Sequence, residues 1–267
     1  MQIDDDTNDW VQQYIGDWID PNPAPVLEEH QGIVIVRDDL LGYGSKIRGI
    51  DFMIGHDPIY KNVTEWVFGS CPATGYAQIS LPYVCNRYGK KAVLFMAKRS
   101  MDNLHPYQKK GIDTGTIYHW VENGMLPVTQ KRAKDYAAAS DDRMVLPLGL
   151  EHPTVTASFI RVARNLPIVP DEVWTVGSSG TLNRSLQLAW PNAKIHVVSV
   201  GHSMNGREIG RAVYHKSPYK FDKAVKENEA PPFPSAPTYD AKGWKPMIDY
   251  YKEHKKPKTV LFWNVAC

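Results

Sequence analysis

A single lysine in the segment GYGSKIRGIDF has the surroundings of a reactive amine. Lys46 follows the flexible Gly-Tyr-Gly-Ser of residues 42–45, shortly after the apolar run IVIVRDD, and it leads into a segment with helical spacing. Burying a lysine costs free energy, so a chain that carries one into its interior usually uses the amine. The alternative is a lysine at the exposed start of a helix, which needs no such chemistry.

A second segment, TVGSSGTLNRSLQLAW, has the composition of an anion-binding turn. The helical pattern of Leu182, Leu186 and Ala189 is separated from an apolar strand by Gly177, Ser178, Ser179, Gly180 and Thr181. Backbone N–H groups in such a turn can converge on an anion at a helix N-terminus, where the helix dipole favours negative charge. The spacing is neither the GxxxxGK[ST] of ATP-binding loops nor the dinucleotide motif GxGxxG, so a plain glycine-rich turn stays open as an alternative.

A third segment, WVFGSCPATGYAQISLPYVCNRYGKK, places small residues 69–75 before an amphipathic helix that carries Ile79, Leu81 and Val84. The N-terminal amides of that helix could hold a carboxylate by the same physics. A lysine, a phosphate site and a carboxylate site after three strands together suit pyridoxal phosphate. This cofactor needs an amine to bind its aldehyde and a nest of N–H groups to bind its phosphate.

The elements that must position these residues are short β-branched or aromatic runs that alternate with stretches of helical spacing. The eight runs are IVIVRDD, TEWVFGS, KAVLFMA, GTIYHWV, MVLPLG, EVWTVGS, KIHVVSV and KTVLFW. Continuous apolar runs are typical of parallel strands with both faces covered, so the pattern predicts an α/β protein with mainly parallel sheets. In residues 202–237, which are rich in charge and proline, we expect a helix and a long surface connection without a strand.

Composition and charge exclude several classes of protein. With 267 residues, 43% of them hydrophobic and 22% charged, the chain reads as a globular protein of one large or two modest domains. It has no apolar stretch of membrane-spanning length and begins with acidic residues, so we expect a cytoplasmic protein. Its cysteines, Cys71, Cys85 and Cys267, predict neither a disulfide framework nor a metal site. The net charge of +2 is not that of a dedicated nucleic-acid binder.

The motifs occur in the order found in a known family. RDDLLGYGSKIRGIDF resembles the cofactor-lysine segment of the tryptophan-synthase-β-like, or fold type II, pyridoxal phosphate enzymes. It is most similar to the branch that contains 1-aminocyclopropane-1-carboxylate deaminase and D-cysteine desulfhydrase. GSSGT resembles the phosphate loop of that branch, and residues 69–78 resemble its substrate-carboxylate loop. LPLG and PTYDAKGWKPMI resemble its Pro-x-Gly strand end and its Pro-Val-Tyr-x-Gly-Lys segment.

The resemblance implies two open-sheet α/β domains with mainly parallel strands and the cofactor in the cleft between them. Residues 1–56 and 153–267 would form the larger, cofactor-binding domain, and residues 57–152 the smaller domain with the carboxylate loop. Pyridoxal phosphate is the cofactor expected, and no metal. The protein would contact no membrane, and it would be a possible homodimer.

The resemblance also implies roles for individual residues. Lys46 would form the Schiff base, and Asp240 stands where the deaminase has the glutamate that pairs with the pyridine nitrogen and keeps the ring protonated. Tyr239 falls on a tyrosine near the substrate, where it would stack, hydrogen-bond or transfer a proton. We expect a bulky residue at Gly180 to weaken cofactor binding more than the fold. The expected phosphate ligands are Gly177, Ser178, Ser179, Gly180 and Thr181, and the expected substrate-binding residues are Ala73, Thr74, Gly75, Gln78 and Tyr239.

Departures from the branch leave more than one function open. Ala73 and Thr74 replace its Ser-Asn pair, so a hydroxyl that helps to hold the substrate is missing, and the chain end VLFWNVAC lacks the glycine-rich finish of the branch. The leading expectation is a lyase of deaminase, desulfhydrase or decarboxylase type, which acts at Cα of an amino acid or amino-acid-like amine through a carbanion intermediate.

Two other functions are compatible with the same residues. One is a bacteriophage pyridoxal phosphate enzyme, for example a decarboxylase, that acts on an amino acid attached to a thymine base during DNA hypermodification. The partner would then be an amino-acid-modified nucleotide or DNA rather than a small amino acid, with basic stretches of the chain meeting phosphates. The other is a non-catalytic pyridoxal-phosphate-binding protein, against which the presence of Lys46, Tyr239 and Asp240 argues.

Overall fold

The computed structural model describes residues 4–122, 124–201 and 203–267. The chain divides into two compact units, unit 1 (Met1–Gly49 and Glu151–Cys267) and unit 2 (Ile50–Leu150). The chain therefore passes between units after residues 49 and 150, where the sequence-based boundaries were placed after 56 and 152.

Helices and strands alternate along most of the chain. The helices are α1 (Asp4–Ile15), α2 (Lys46–Gly55), α3 (Ala77–Arg87), α4 (Pro106–Asp113), α5 (Leu126–Ala137), α6 (Pro153–Arg164), α7 (Thr181–Ala189), α8 (Gly206–Ile209) and α9 (Ala241–Glu253). The strands are β1 (Val26–His30), β2 (Ile33–Arg37), β3 (Glu65–Phe68), β4 (Lys91–Ala97), β5 (Ile117–Val121), β6 (Arg143–Val145), β7 (Glu172–Gly177), β8 (Lys194–Ser199), β9 (Val213–Lys216) and β10 (Val260–Asn264).

Unit 1 is built on a six-stranded sheet in the order β1-β2-β10-β7-β8-β9. Only the pair β1 and β2 is antiparallel. Helix α9 covers one face of this sheet, where its Trp244 and Met247 pack against Trp174, Val176 and Phe262 of the strands. Because the central strands run parallel, their carboxyl ends lie along one edge of the sheet, which is where ligands bind in open α/β sheets.

Unit 2 is built on a four-stranded sheet in the order β5-β4-β3-β6, and all of its strand pairs are parallel. Helix α5 packs on one face through Ala133 and Ala137, which contact Val67, Val93 and Phe95. The carboxyl end of the central strand β3 leads directly into residues 69–76 and then into α3. The predicted carboxylate loop therefore lies at the carboxyl edge of this sheet.

The predicted α/β class with mainly parallel strands is confirmed, and so are the eight strands read from apolar runs. The expectation that residues 202–237 lack a strand is wrong, because β9 lies within them. Both missed strands, β1 and β9, lie at the edges of the six-stranded sheet and carry exposed or half-buried side chains. Edge strands of this kind lack the continuous apolar run that marks a covered strand. No helix in the described part of the chain is long and apolar enough to span a membrane.

Candidate active site

Lys46 begins helix α2 at the end of a tight connection from β2. A 3₁₀ turn over Asp38–Leu41 follows the strand, and Gly42 and Gly44 then adopt φ angles of 70° and 73°. Glycine reaches this left-handed region without the steric cost that other residues meet. The N–H of Ser45 donates to the carbonyl of Val265 over 3.0 Å, so the residue before Lys46 is tied to the segment that follows β10.

A buried ion-pair network holds this connection in place. Arg48, two residues after Lys46, is 1% exposed and donates to Asp38 over 2.8 Å and to Asp20 over 2.6 Å. The second oxygen of Asp38 accepts from the indole N–H of Trp263 in β10 over 3.1 Å. Removing one partner of a buried pair leaves an uncompensated charge, so the position of the first turn of α2 is strongly determined.

The RDD run contributes a second buried pair next to the first. Arg37 donates through Nε and Nη2 to the two oxygens of Asp39, over 2.8 and 2.7 Å. This fork geometry is the strong, bidentate form of an arginine–carboxylate contact. Arg37 also pairs with Glu28 of β1, so its guanidinium group lies between the carboxylates of Glu28 and Asp39.

The predicted phosphate loop connects β7 to α7. Gly180 precedes the first residue of α7 with a φ of 75°, and no side chain caps the helix there. A Cβ at Gly180 would lie 2.3 Å from the carbonyl oxygen of Glu208, so this glycine is required by the backbone itself. At Gly177, in contrast, a Cβ would meet nothing closer than 3.4 Å and would lie 4.0 Å from the amide nitrogen of Gly180.

Asp240 precedes α9 and is fully buried. Its Oδ2 accepts from the N–H of Ala266 over 3.1 Å, whereas its Oδ1 has no hydrogen-bond partner among the residues that the structure describes. Burial raises the pKa of Asp240 well above its usual range, and the charge of Lys46 and the backbone N–H groups of Val265 and Ala266 act in the opposite direction. The charged form of this carboxylate therefore lacks one strong partner.

Tyr239 links Asp240 to the phosphate loop. Burial raises the pKa of the Tyr239 hydroxyl and the charge of Asp240 raises it further, while hydrogen bonds from Ser178 act in the opposite direction. The hydroxyl is therefore neutral at pH 7 and retains a proton to donate.

The structure thus brings four predicted site residues of unit 1 together: Lys46, Ser178, Tyr239 and Asp240. Ser45 and Asp240 are both hydrogen-bonded to the segment after β10, Lys46 acts electrostatically on Asp240, and Tyr239 reaches Ser178. An Oδ1 of Asp240 with no hydrogen-bond partner among the described residues, a neighbouring lysine and a helix start without a side-chain cap match the pyridine nitrogen, aldehyde and phosphate of pyridoxal phosphate. The residues present therefore fit that cofactor.

The carboxylate loop of unit 2 is held from inside by Gln78. The side chain of Gln78 is fully buried, and its Nε2 donates to the carbonyls of Ala73 and Gly75 over 2.7 and 2.8 Å. Tyr118 donates to its Oε1 over 3.2 Å. Both amide hydrogens of Gln78 are used within the loop, so the geometry favours a positioning role for Gln78 over direct contact with a substrate.

Helix α5 holds the start of the same loop. Thr129 donates to the carbonyl of Gly69 over 2.6 Å, and Gln130 donates to the hydroxyl of Ser70 over 2.9 Å. Gly75 has no space for a side chain, because a Cβ there would lie 2.8 Å from Sγ of Cys71. Ala73 and Thr74 are half-buried between these anchored positions.

Sequence reasoning singled out the lysine, the loops and Asp240 as candidates but assigned no role to the arginines and aspartates next to Lys46. Arg37, Asp38, Asp39 and Arg48 are all at most 5% exposed. The available signal was an arginine and two aspartates directly after a fully apolar strand, since charges there must be paired. Asn264 at the end of β10 accepts from Ser235 over 2.7 Å and donates to the carbonyl of Pro234 over 2.9 Å.

Comparison with known proteins identifies the fold. No family profile matches the chain, and no curated protein matches it in sequence. Among solved structures, an ACC deaminase homologue superposes with a TM-score of 0.77 and 14% identity, over 96% of this chain and 94% of that one. This chain has fold type II.

Other fold type II structures agree. Threonine deaminase isoform 2 from Solanum lycopersicum matches with a TM-score of 0.71 and 16% identity, over 97% of this chain and 85% of that one. Diaminopropionate ammonia lyase from Escherichia coli matches with a TM-score of 0.64 and 12% identity, over 99% and 88%. The resemblance read from five short segments is thereby confirmed at the level of the fold, at identities where the sequence as a whole carries little signal.

Proposed function

We propose that this protein is a pyridoxal-phosphate-dependent enzyme of the lyase or deaminase type, which cleaves a bond at Cα of an amino acid or an amino-acid-like amine. The observation that carries the proposal is the buried, half-satisfied carboxylate of Asp240 beside Lys46. Leaving a buried charged oxygen without a partner destabilises the fold, so Oδ1 of Asp240 supports a bound cationic donor such as a protonated ring nitrogen. The deaminases and the ammonia lyase that share the fold support the same class of reaction.

The residues that would hold the cofactor follow from this assignment. Lys46 would bind the aldehyde, the N–H groups and hydroxyls of residues 177–181 would bind the phosphate, and Oδ1 of Asp240 would accept from the protonated pyridine nitrogen. Bound in this way, pyridoxal phosphate supplies an electron-withdrawing ring that weakens the bonds at Cα of an attached amine.

The chain's own residues would then perform the remaining tasks. Two backbone N–H groups and the charge of Lys46 oppose the effect of burial on the pKa of Asp240. Oδ1 would gain a cationic donor from a protonated ring nitrogen, so the carboxylate would be ionised with the cofactor bound and would favour the protonated ring. The Nζ of Lys46, when released, is the amine available to accept a proton from Cα. Tyr239 is neutral and would donate its hydroxyl proton rather than accept one. The loop of residues 69–78 would bind the substrate carboxylate through Ala73, Thr74 and Gly75, with Gln78 holding the loop.

A second candidate function is a reaction on an amino acid attached to a thymine base in DNA, and a basic segment of unit 1 favours it. Residues 216–226 carry four lysines and one aspartate. The segment starts beside the phosphate loop, since Ser217 donates to Ser199 and Ser199 pairs with Gly177. Buried Lys242 fixes the segment by donating to the carbonyls of Lys220 and Phe221, each over 2.9 Å. An anchored basic segment of this kind suits the phosphates of a nucleic acid.

One assay separates these functions. The protein, with pyridoxal phosphate added, is offered a panel of free amino acids and, in parallel, DNA that carries amino-acid-modified thymine, and products are identified by mass spectrometry. Lys46→Ala serves as the inactive control. Loss of ammonia, hydrogen sulfide or carbon dioxide from free amino acids supports the first function, and the same loss from DNA alone supports the second. Cofactor binding without any product in either arm would indicate a non-catalytic binder.

Ala73→Ser sharpens the distinction. It restores the hydroxyl that the deaminase branch uses in this loop, so we expect the KM for a small free amino acid to hold or decrease if such a compound is the substrate. If the substrate is attached to DNA, the added hydroxyl should leave small amino acids unused and lower activity on DNA.

A further inference from the structure

A cavity of about 540 Å³ in unit 1 is formed by residues other than those assigned to the cofactor. It lies among α1, α6, α7 and α8, and its walls include Trp10, Pro153, Arg184, Leu188 and Arg207. Its volume is in the range of ordinary small-molecule sites, which are concave and carry a few convergent polar groups.

Two guanidinium groups converge on one carboxylate oxygen at the wall of this cavity. Nη2 of Arg207 lies 2.8 Å from Oε1 of Glu151, and Nη2 of Arg184 lies 3.6 Å from the same oxygen. Nε of Arg184 is buried and has no hydrogen-bond partner among the described residues. Each guanidinium presents five N–H donors, so the pair has many more donors than the single half-exposed carboxylate can accept from.

The remaining wall has an aromatic and apolar part as well as the polar side chains of His152, Thr156 and Gln187. Trp10, Pro153 and Leu188 line the cavity together with the arginines. A cavity with a cationic end and an aromatic wall selects molecules that combine an anionic group with a flat or apolar body. The N-terminus of α6 does not add to the cationic end, because the side chain of His152 already caps it.

We propose that this cavity is a second binding site for a small organic anion, whose phosphate or carboxylate lies between Arg184 and Arg207 and whose aromatic body lies against Trp10. The carboxylate of Glu151 pairs with both arginines and so competes with the ligand anion for their N–H groups. This site is independent of the cofactor assignment, since it uses none of the residues that would hold pyridoxal phosphate.

The test is isothermal titration of the full-length chain at low ionic strength with four probes: thymidine monophosphate, thymidine, indole-3-acetate and inorganic phosphate. We expect an aromatic anion to bind more tightly than thymidine or inorganic phosphate. A preference for thymidine monophosphate over indole-3-acetate would identify a phosphate as the anionic group, and the reverse preference a carboxylate.

Variants locate the binding. Arg207→Gln removes a side chain that is 78% exposed, so it should leave the fold intact while weakening the preferred anion roughly tenfold. Glu151→Gln removes the competing carboxylate and should strengthen binding several-fold. Arg132→Gln, at an exposed position on α5 of unit 2, is the matched control and should change nothing. Absence of binding by both aromatic anions, or binding that Arg207→Gln and Glu151→Gln leave unchanged, would overturn the proposal.

Discussion

The backbone N–H of Ala266 donates to Oδ2 of Asp240 over 3.1 Å and leaves Oδ1 of the same carboxylate buried and without a partner among the described residues. A carboxylate oxygen in this state is stabilised strongly by any added donor, and by a cationic donor most of all. The segment after β10 also accepts from Ser45, so the oxygen that lacks a donor is positioned by the same backbone as Lys46.

Replacing Asp240 with asparagine should separate cofactor binding from turnover. Asparagine can still accept from Ala266 but brings no charge to the ring nitrogen, so we expect cofactor to be retained while kcat falls by at least about 100-fold. Without cofactor, the folded chain binds a proton at Asp240 more tightly than the unfolded chain does, because burial raises the pKa above 3.8. The free energy of unfolding therefore falls as the pH rises through the raised pKa.

Asparagine cannot ionise, so Asp240→Asn avoids the cost of a buried negative charge. Without cofactor, this variant should therefore be more stable than the wild type at neutral pH. Urea unfolding at pH 7 measures this difference. Unchanged kcat in the variant would exclude the electronic role of Asp240.

The two glycines of the phosphate loop should respond differently to alanine. At Gly180 the methyl group would meet the backbone of Glu208 at 2.3 Å in a conformation that disfavours any side chain, so the fold should lose at least about 1–3 kcal/mol. The sequence-based expectation that Gly180 affects the cofactor more than the fold is therefore revised. At Gly177 the methyl group has space, so Gly177→Ala should keep the wild-type melting temperature while it weakens cofactor affinity. Thermal unfolding and cofactor titration of both variants check this contrast, and equal melting temperatures would contradict it.

Gln78→Met should affect substrate affinity more than the chemical step. Methionine has a similar shape but lacks the N–H groups that hold the carbonyls of Ala73 and Gly75, so the loop loses its internal support. We expect KM to rise about tenfold, with kcat changed much less. Gln13→Met, at an exposed position of α1, is the control. If kcat fell while KM stayed constant, Gln78 would act in the reaction itself.

Acid should destabilise unit 1 through a stacked histidine pair. The ring of His196 stacks on Trp174 at 4.1 Å between centroids, and its Nδ1 lies 2.9 Å from Nε2 of His215. Burial, as the largest cause, and the positive charges of His215, Lys194 and His254 together lower the pKa of His196 to about 3. Between pH about 6.5 and about 3 the unfolded chain therefore binds more protons than the folded chain, and the free energy of unfolding decreases as the pH falls.

His196→Phe removes this titratable group, so the free energy of unfolding should depend less on pH. We expect the variant to lose less stability than the wild type between pH 7 and pH 4.5 in urea unfolding experiments. His56→Phe, at an exposed position of unit 2, should retain the wild-type slope. An unchanged slope in His196→Phe would assign the acid sensitivity to other groups.

The strands and loops that the sequence predicts correctly are those with a strong local signal. Covered parallel strands are continuous apolar runs, and the turns after them carry small residues because backbone must approach backbone there. The same local signal marked Lys46 and residues 177–181. The edge strands β1 and β9 were missed because hydrogen bonds to a neighbouring strand, rather than apolar side chains, define them.

The parts that sequence could not predict depend on contacts between residues far apart in the chain. Trp263 donates to Asp38, and no local pattern joins two positions that are 225 residues apart. The orphaned oxygen of Asp240 is likewise a property of the folded chain alone. The cavity between Trp10 and Arg207 could not be predicted from sequence for the same reason, since residues of four separate helices line it.

The most direct test of the central claim is to locate the cofactor on the chain. The protein is incubated with pyridoxal phosphate, reduced with borohydride, digested, and mapped by mass spectrometry, with Lys46→Ala and Lys242→Ala treated in parallel. We expect a visible absorption band in the wild type and a reduced adduct on the peptide that contains Lys46, absent from Lys46→Ala. A principal adduct on another lysine, or no adduct at all, would contradict the assignment of Lys46 and of the cofactor.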